Sequence, residues 1–427
     1  MPLAPGEFEE AWPRIVRALA SFTGSLDDAE EYAAEAVARA AGHERAGGRP
    51  IESYAAWCTS VGKRAWLDDA RRRVALRRLG PELARPDTDL TAATVTDRTA
   101  MDADELSRAG LDDRLALLFV ACDEAISPAS RMVLALRVVC GLTVPEIAGH
   151  LGIQETAAAA RLTRAKRALS EARGSFHIPD ASERERRLPV VLACVAGMFT
   201  VAHRTVLDPA DGVADTGRQS LSIADAVVAA YPSDTEVRGL RAVIRLGLAR
   251  RPGRVDETGT GLALDEVDRS RWDPTLLRQG LDDATLAAAG DGRFALEAAI
   301  AGLHSSARSF TDTDWERIVQ LYLALEQRWP SPAVQVARLS ATAHGCLARG
   351  ADTSEVEREL QTLEAGAAAY ARRDAGLALA DIAWRTGRLD EAAALYRDLA
   401  EVMEAEPLRR FCLRRATGAP DHPSETR

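Results

Sequence analysis

Lysine is nearly missing from this chain: Lys63 and Lys166 are the only two in 427 residues, against 54 basic side chains in all. Its positive charge is therefore almost wholly arginine, which keeps its proton at any ordinary pH and forks onto phosphate or carboxylate. Aromatic residues are sparse too, at 5%. Long apolar runs are absent. The longest, Leu188 to Ala202, contains Pro189 and Gly197 and falls short of the roughly 18 residues a membrane-spanning helix needs. A buried helix and no membrane contact are expected. The opening MPLAPGEFEE is acidic and lacks the basic start and apolar stretch of a secretory signal, so the expected location is cytoplasmic. Six scattered cysteines (Cys58, Cys122, Cys140, Cys194, Cys346, Cys412) show no CxxC spacing. Free thiols are expected, with neither a disulfide framework nor a zinc site.

The signatures of catalysis are lacking as well. The chain has no GxxxxGK[ST] phosphate loop, no GxGxxG after a strand, no HExxH and no GxSxG elbow. Its seven histidines do not pair at ligand spacing. No catalytic residue, metal site or cofactor is expected, and the chain does not read as an enzyme. Strand signals are almost absent, since β-branched residues rarely alternate with polar ones and no Asn-Gly or Asp-Gly hairpin joins two such runs. Helical spacing recurs instead, first in Trp12, Ile15, Val16 and Leu19, then from Asp28 to Ala40. The expected fold class is all-α, in more than one domain.

What the chain does have is segregated charge. The formal net charge of −10 argues against a generally basic coat, but the balance varies sharply along the sequence. Val61 to Arg78 carries seven basic and two acidic residues, Asp87 to Asp113 two basic and eight acidic, and Thr156 to Arg173 five basic and one acidic. This order reads as a cationic helix end, an acidic linker and a second cationic helix.

The segment Gly141 to Arg173 is the most informative. Thr143 and Glu146 have capping-box spacing, Pro145 is tolerated in a first turn, and Val144, Ile147, Ala148 and Leu151 share a face. Gly152 marks the turn. A second helix from about Gln154 places Ala158, Leu162, Ala165 and Leu169 inward and presents Arg161, Arg164, Lys166 and Arg167 outward. A short helix, a glycine turn and a longer basic helix match the geometry that lays a recognition helix in the DNA major groove. A surface helical hairpin with solvated charges is the plainer alternative.

Gly141-Leu142-Thr143, Glu146-Ile147-Ala148, Leu151-Gly152 and the run from Arg161 to Lys166 resemble region 4 of the sigma-70 family, in the extracytoplasmic-function group. Residues 7 to 73 resemble region 2 of that group, through Asp27 to Glu31 opening a helix, Ala56-Trp57, Lys63, Asp68 and Arg71-Arg72. The resemblance implies a transcription initiation factor that binds the β′ and β subunits of core RNA polymerase and directs them to promoter DNA. It implies polymerase binding by Asp27, Asp28, Glu30, Glu31 and Glu35. It implies −10 contacts by Lys63, Arg64, Trp66, Arg71 and Arg72, and −35 contacts by Gln154, Thr156, Arg161, Arg164, Lys166 and Arg167. The expected divisions are region 2 at 7–78, the acidic linker at 79–111 and region 4 at 112–174. Three positions depart from the pattern: Arg64 stands where asparagine is usual, Trp66 where a small residue is, and Ala34 where glutamine is. They leave open a second reading, a sigma-like interaction scaffold that has lost promoter opening. Trp57 and Trp66 are of a type that stacks on bases of an opened strand, although core packing is the commoner use of such rings.

The resemblance continues beyond residue 175 into a subgroup with a tetratricopeptide-like helical extension, here expected at 187–418. It rests on Arg187 to Pro189, Arg251 to Asp256, Asp268 to Asp273, Phe294 to Ala301, Thr313 to Trp315 and Pro330 to Pro332. Ala380 to Leu399 has the small-residue helix, glycine turn at Gly387 and second helix of such a repeat, and Ala341 to Leu363 has room for a preceding pair. The extension is expected to regulate the chain, either by folding back on regions 2 and 4 in an intramolecular contact that holds them off polymerase or by adding contacts that stabilise the active complex; whether an anti-sigma protein also acts is left open. The charged stretch Asp265 to Pro274 is expected to be an ion-paired turn capping the helix after Asp273 rather than a catalytic loop.

Overall fold

The computed structural model describes residues 5–79, 111–205, 215–366 and 368–418. Among them the chain is helical throughout, with a lone antiparallel bridge, Val255 to Gly261, and no strand. The linker expected at 79–111 lies, apart from its two ends, outside the described residues. No helix among those described is long and apolar enough to cross a membrane. Two compact units emerge: Met1–Val201 with Asp211–Ala226, and Ala202–Ala210 with Val227–Arg427. The first unit takes in both expected sigma-like regions together with the opening of the expected extension, so the compact boundary falls later than residue 187.

The first unit begins with a bundle of α1 (Pro5–Thr23), α2 (Leu26–Arg45) and α3 (Tyr54–Leu79), each packed on the other two. Trp12, Ile15, Val16 and Leu19 form the buried stripe of α1, as their spacing predicts. Ser25 caps α2 by accepting from the Asp28 N–H at 3.2 Å. Then come α4 (Asp113–Ala121), α5 (Pro128–Val138), α6 (Val144–Leu151), α7 (Glu155–Arg173) and α8 (Ala181–Thr205). α4 packs on both α1 and α5, and α7 packs on α5 and α6. Every residue of α4 from Leu115 onward is buried, which places it at the centre of the unit's core. α9 (Thr216–Ala230) crosses from the first unit into the second.

In the second unit α10 (Thr235–Arg250), α11 (Pro274–Ala287) and α12 (Arg293–Ser306) pack as a trio, followed in order by α13 (Trp315–Arg328), α14 (Pro332–Ala348), α15 (Ser354–Gly366), α16 (Ala369–Arg385), α17 (Leu389–Val402) and α18 (Glu406–Ala416). Consecutive helices pack on one another, and α14 also packs on α16. α10 and α12 approach closely at Gly239, where a Cβ would stand 2.5 Å from the Phe294 backbone. Asp283, buried on α11, binds Arg241 at 2.6 Å and Arg245 at 2.7 Å across this trio. Asp273 caps α11 by accepting from Thr275 and Leu276. Gly387, at a φ of 77°, makes the turn between α16 and α17.

Candidate nucleic-acid interface

The pair α6 and α7 is built as its residues dictate. The Thr143 N–H donates to Glu146 Oε2 at 2.7 Å, and the Glu146 N–H donates back to Thr143 Oγ1 at 3.4 Å. This closed capping box satisfies two donors that a helix start leaves open. Gly152 ends α6 at a φ of 61°, a left-handed conformation that costs a residue with a Cβ about 1–2 kcal/mol. The next N–H, of Ile153, then reaches back to the Ala148 carbonyl at 3.0 Å. On α7 the buried residues are Ala158, Leu162, Ala165 and Leu169, the inward set read from the sequence.

The opposite side of α7 is solvent-facing. Gln154, Thr156, Ala160, Thr163, Arg164 and Arg167 are exposed, and Arg161 is half-buried. Steps of four, three, one and three from Thr156 keep these positions on one face. Arg167 is engaged by Glu171 one turn on, at 2.6 Å. An ion pair this exposed gives way readily to a phosphate.

Lys166 lies elsewhere. It sits on the border of the apolar stripe, and its ammonium is held by Asp27 at 2.6 Å and Glu30 at 2.8 Å, both from α2. Burial alone would lower its pKa, but these two carboxylates outweigh burial and raise it above the ordinary lysine value. Glu30 is itself buried and accepts from Arg137 Nε at 2.5 Å. The Trp12 indole donates to the Arg137 carbonyl at 3.2 Å, and Arg17 binds both the Leu111 carbonyl and Asp113 at 2.8 Å. Regions expected to be separate are thus joined in one unit, with two expected polymerase contacts engaged by one expected −35 contact. Asp27, Lys166, Asp123, Arg173 and His177 line a cavity of about 630 Å³ beside this contact.

The remaining expected sites divide clearly. Lys63 is half-buried with its ammonium 5.0 Å from the Phe22 ring centroid, and Arg64 is exposed. Arg71 and Arg72 are exposed and paired with Asp68 at 3.3 Å and Asp69 at 3.1 Å. Trp66 corrects the sequence expectation. It is fully buried, edge-on to Phe22, and its Nε1 donates to Asp28 Oδ2 at 3.0 Å, so its ring stacks on no base in this conformation. The alignment of Gly62, Trp66 and Ala70, all buried at four-residue steps, carried that signal. Trp57 is half-buried beside His43, with ring centroids 5.9 Å apart. Asp28 is half-buried, while Glu31 and Glu35 are exposed, Glu35 pairing with Arg39 at 2.6 Å.

Sequence reading missed a second charged knot. Asp123, 1% exposed, binds Arg173 at 2.9 Å and Arg187 at 2.8 Å, while Arg187 also donates to the Phe119 carbonyl at 3.1 Å. Burial tends to raise the Asp123 pKa; the Ala125 N–H and the two guanidiniums prevail and lower it. This knot ties the end of α7 and the start of α8 to the loop after α4. The cysteines are free and all but Cys346 are buried, and burial pushes the Cys58 thiol up to about 12, which makes it a poor nucleophile.

Part of this unit matches a known family. Residues 118–169 match the family model described as sigma-70, region 4, and residues 187–288 match a family of unknown function. The chain is 34% identical over 334 residues to the uncharacterised protein R00370 of Rhizobium meliloti, covering 78% of this chain and 77% of that one. It is 29% identical over 186 residues to a protein of Mycobacterium tuberculosis named "Probable ECF RNA polymerase sigma factor SigI", covering 44% of this chain and 60% of SigI. The same match occurs in a second strain. No solved structure matches the chain.

Proposed function

We propose that this chain, which belongs to one family with R00370 and carries a sigma-70 region 4 module, is a transcription initiation factor that binds core RNA polymerase and directs it to promoters. The observation that carries this reading is the capped α6, the left-handed Gly152 and the exposed α7 face in the segment that matches region 4. Gln154, Thr156, Arg161 and Arg164 meet the −35 element, with Arg167 released from Glu171 to join them. Lys63, Arg64, Arg71 and Arg72 hold the −10 element, chiefly through phosphates, and Asp28, Glu31 and Glu35 meet the β′ and β subunits. The protein makes and breaks no covalent bond of its own. Its C-terminal helices, a tetratricopeptide-like array in this reading, regulate it.

The conformation described is a closed one. Glu30, buried between Lys166 and Arg137, cannot meet polymerase in this conformation, so its engagement exchanges these ion pairs for intermolecular ones, whereas Asp27 is exposed. Lys166 is then free for a phosphate. Half-buried ion pairs suit this exchange, because their Coulomb gain is largely offset by desolvation.

Co-purification of the full chain with bacterial core polymerase, followed by run-off transcription on genomic fragments, tests the proposal. Defined start sites that depend on the chain, with template binding that weakens steeply as salt rises, are the expected result. A chain that fails to bind polymerase sinks it and leaves the helical scaffold. Polymerase binding without start sites points to loss of promoter opening through Arg64 and the buried Trp66.

A further inference from the structure

Between α10 and α11 the chain of the C-terminal unit leaves α-helix, apart from two 3-10 turns at Arg251–Gly253 and Arg269–Arg271. This segment crosses to the last helices of the unit. Asp256 Oδ1 accepts from the Thr258 N–H at 2.8 Å and the Thr260 N–H at 2.9 Å, and Gly259 turns the chain at a φ of 79°. The Gly261 N–H then donates to the Pro407 carbonyl of α18 at 2.8 Å, and Arg410 Nη1 of α18 donates to the Thr258 carbonyl at 2.7 Å. A second turn follows, in which the Glu266 N–H donates to the Ala263 carbonyl at 3.0 Å and the Ala263 N–H to Glu266 Oε2 at 2.8 Å. That turn sends three consecutive side chains to three places. Leu264 packs on the apolar cluster around Trp315 and Ile318, and Asp265 pairs with Arg385 of α16 at 3.0 Å. Glu266 pairs with Arg414 at 2.6 Å and Arg415 at 2.9 Å, both on α18.

The two sides of this contact are built differently. Residues 262–271 include no buried side chain, and a stretch with so few buried contacts opens at the low end of a protein's range of local stabilities. The surface beneath is fixed. Arg415 is 7% exposed, with its guanidinium 4.4 Å from the Trp384 ring centroid. Arg385 lies 4.7 Å over Phe310 and is also bound by Asp381 at 2.8 Å, and Arg414 lies 5.7 Å from the Phe411 centroid. Rings thus hold all three guanidiniums in place beside the ion pairs. Burial tends to raise the Asp265 pKa, but Arg385 outweighs burial and lowers it, so the segment meets this surface as an anion. An arginine as buried as Arg415 is costly to leave without an acid. Whatever replaces the segment must bring carboxylates of its own.

We propose that Arg385, Arg414 and Arg415, with the apolar cluster at Trp315, form a docking site for a protein segment that presents two consecutive carboxylates behind an aliphatic residue. The chain's own Leu264, Asp265 and Glu266 hold this site as an intramolecular competitor. The pattern of contacts fixes the chemistry of the partner: one acid for Arg385 on α16, the next shared by Arg414 and Arg415 on α18, and an aliphatic side chain for the cluster. A bare phosphate would satisfy the guanidiniums and leave that cluster uncovered. Tethering holds the resident segment at an effective concentration on the order of millimolar, so only a partner that binds more tightly displaces it. The site stands independently of whether the chain directs polymerase.

Fluorescence anisotropy with a labelled synthetic peptide of residues 259–270 tests it, on the full chain and on its Asp265→Asn, Glu266→Gln double variant, whose resident segment has lost both acids. The folded double variant is expected to bind one peptide per chain saturably. The wild type should bind it about ten-fold or more weakly, because its own segment competes. A peptide with Asn and Gln at the two acidic positions, and a scrambled peptide of unchanged composition, are expected not to bind. Absence of binding to the folded double variant overturns the proposal, and so does equal binding to both chains or equal binding of the scrambled peptide. Should the double variant fail to fold, hydrogen exchange of the wild type decides. Excess peptide is expected to speed exchange at the amides of Gly261 and Glu266 while α18 stays protected, and unchanged exchange at those amides overturns the proposal.

Discussion

The N-terminal unit and the C-terminal unit both take arginines out of water, but they balance them differently. In the first, Asp123 lies between Arg173 and Arg187, and Glu30 between Arg137 and Lys166. In the second, Asp283 matches Arg241 and Arg245 in the same manner, yet neither Arg250 nor Arg269 forms an ion pair among the described residues. Counting charges along the chain does not distinguish these cases. Arg137 meets an acid 107 residues away and Lys166 one 139 residues away, so pairing belongs to tertiary structure. A paired cation makes its carboxylate indispensable; an unpaired one does not.

The sharpest way to break this comparison is to remove an acid on one side and a cation on the other. Asp123→Ala leaves Arg173 and Arg187 without their shared partner and is expected to cost about 3–5 kcal/mol in urea unfolding. Arg250→Met is expected to be neutral or stabilising, because it removes a charge that forms no ion pair among the described residues. Equal destabilisation by the two would erase the distinction. The pH dependence has a definite sign. The Asp123 pKa is depressed in the folded state, so its contribution is full above the unfolded carboxylate value of about 4 and is lost as pH falls through the lower folded value. Asp123→Asn should therefore flatten the acid limb of a stability profile measured below about pH 4.

Glu30→Gln is the next largest change. It keeps the shape and removes the charge that holds Arg137 and Lys166, with an expected cost of about 2 kcal/mol in the same unfolding measurement. A cost near zero would mean that the contact between α2 and α7 is too wet to hold the closed form. Gly152→Ala follows, at about 1–2 kcal/mol, from the left-handed φ alone, since a Cβ there would meet nothing within 4 Å. Thermal unfolding of that variant separates backbone strain from steric clash.

Much of this was legible in the residues. The helical class, the capping box at Thr143, the turn at Gly152 and the inward stripe of α7 follow from local spacing, and local spacing is what a sequence displays. Trp66 and Lys166 show where it stops. Trp66 lies on the line of Gly62 and Ala70, but only the packing of α3 against α1 and α2 reveals that line as buried. Lys166 borders the apolar stripe, and whether such a residue turns to solvent or to a neighbour depends on what packs alongside, here the start of α2. Asp123 and Arg187 gave no local signal at all, because their meaning comes from helices that converge only in the fold.

The smallest expected stability change tests the functional half of the comparison. Arg164 is exposed on the same face as Thr156 and Ala160, away from the carboxylates that hold Lys166. Arg164→Ala should leave unfolding within about 0.5 kcal/mol of the wild type. If its guanidinium neutralises one phosphate, the variant bound to core polymerase should show a promoter-affinity salt slope shallower by about 1. If it reads a guanine edge instead, the slope should hold while discrimination at one base pair of the −35 element falls by about 1–3 kcal/mol. A variant indistinguishable from wild type in both respects would move the DNA contact off this face of α7, and Arg64, exposed on α3, would become the next arginine to examine.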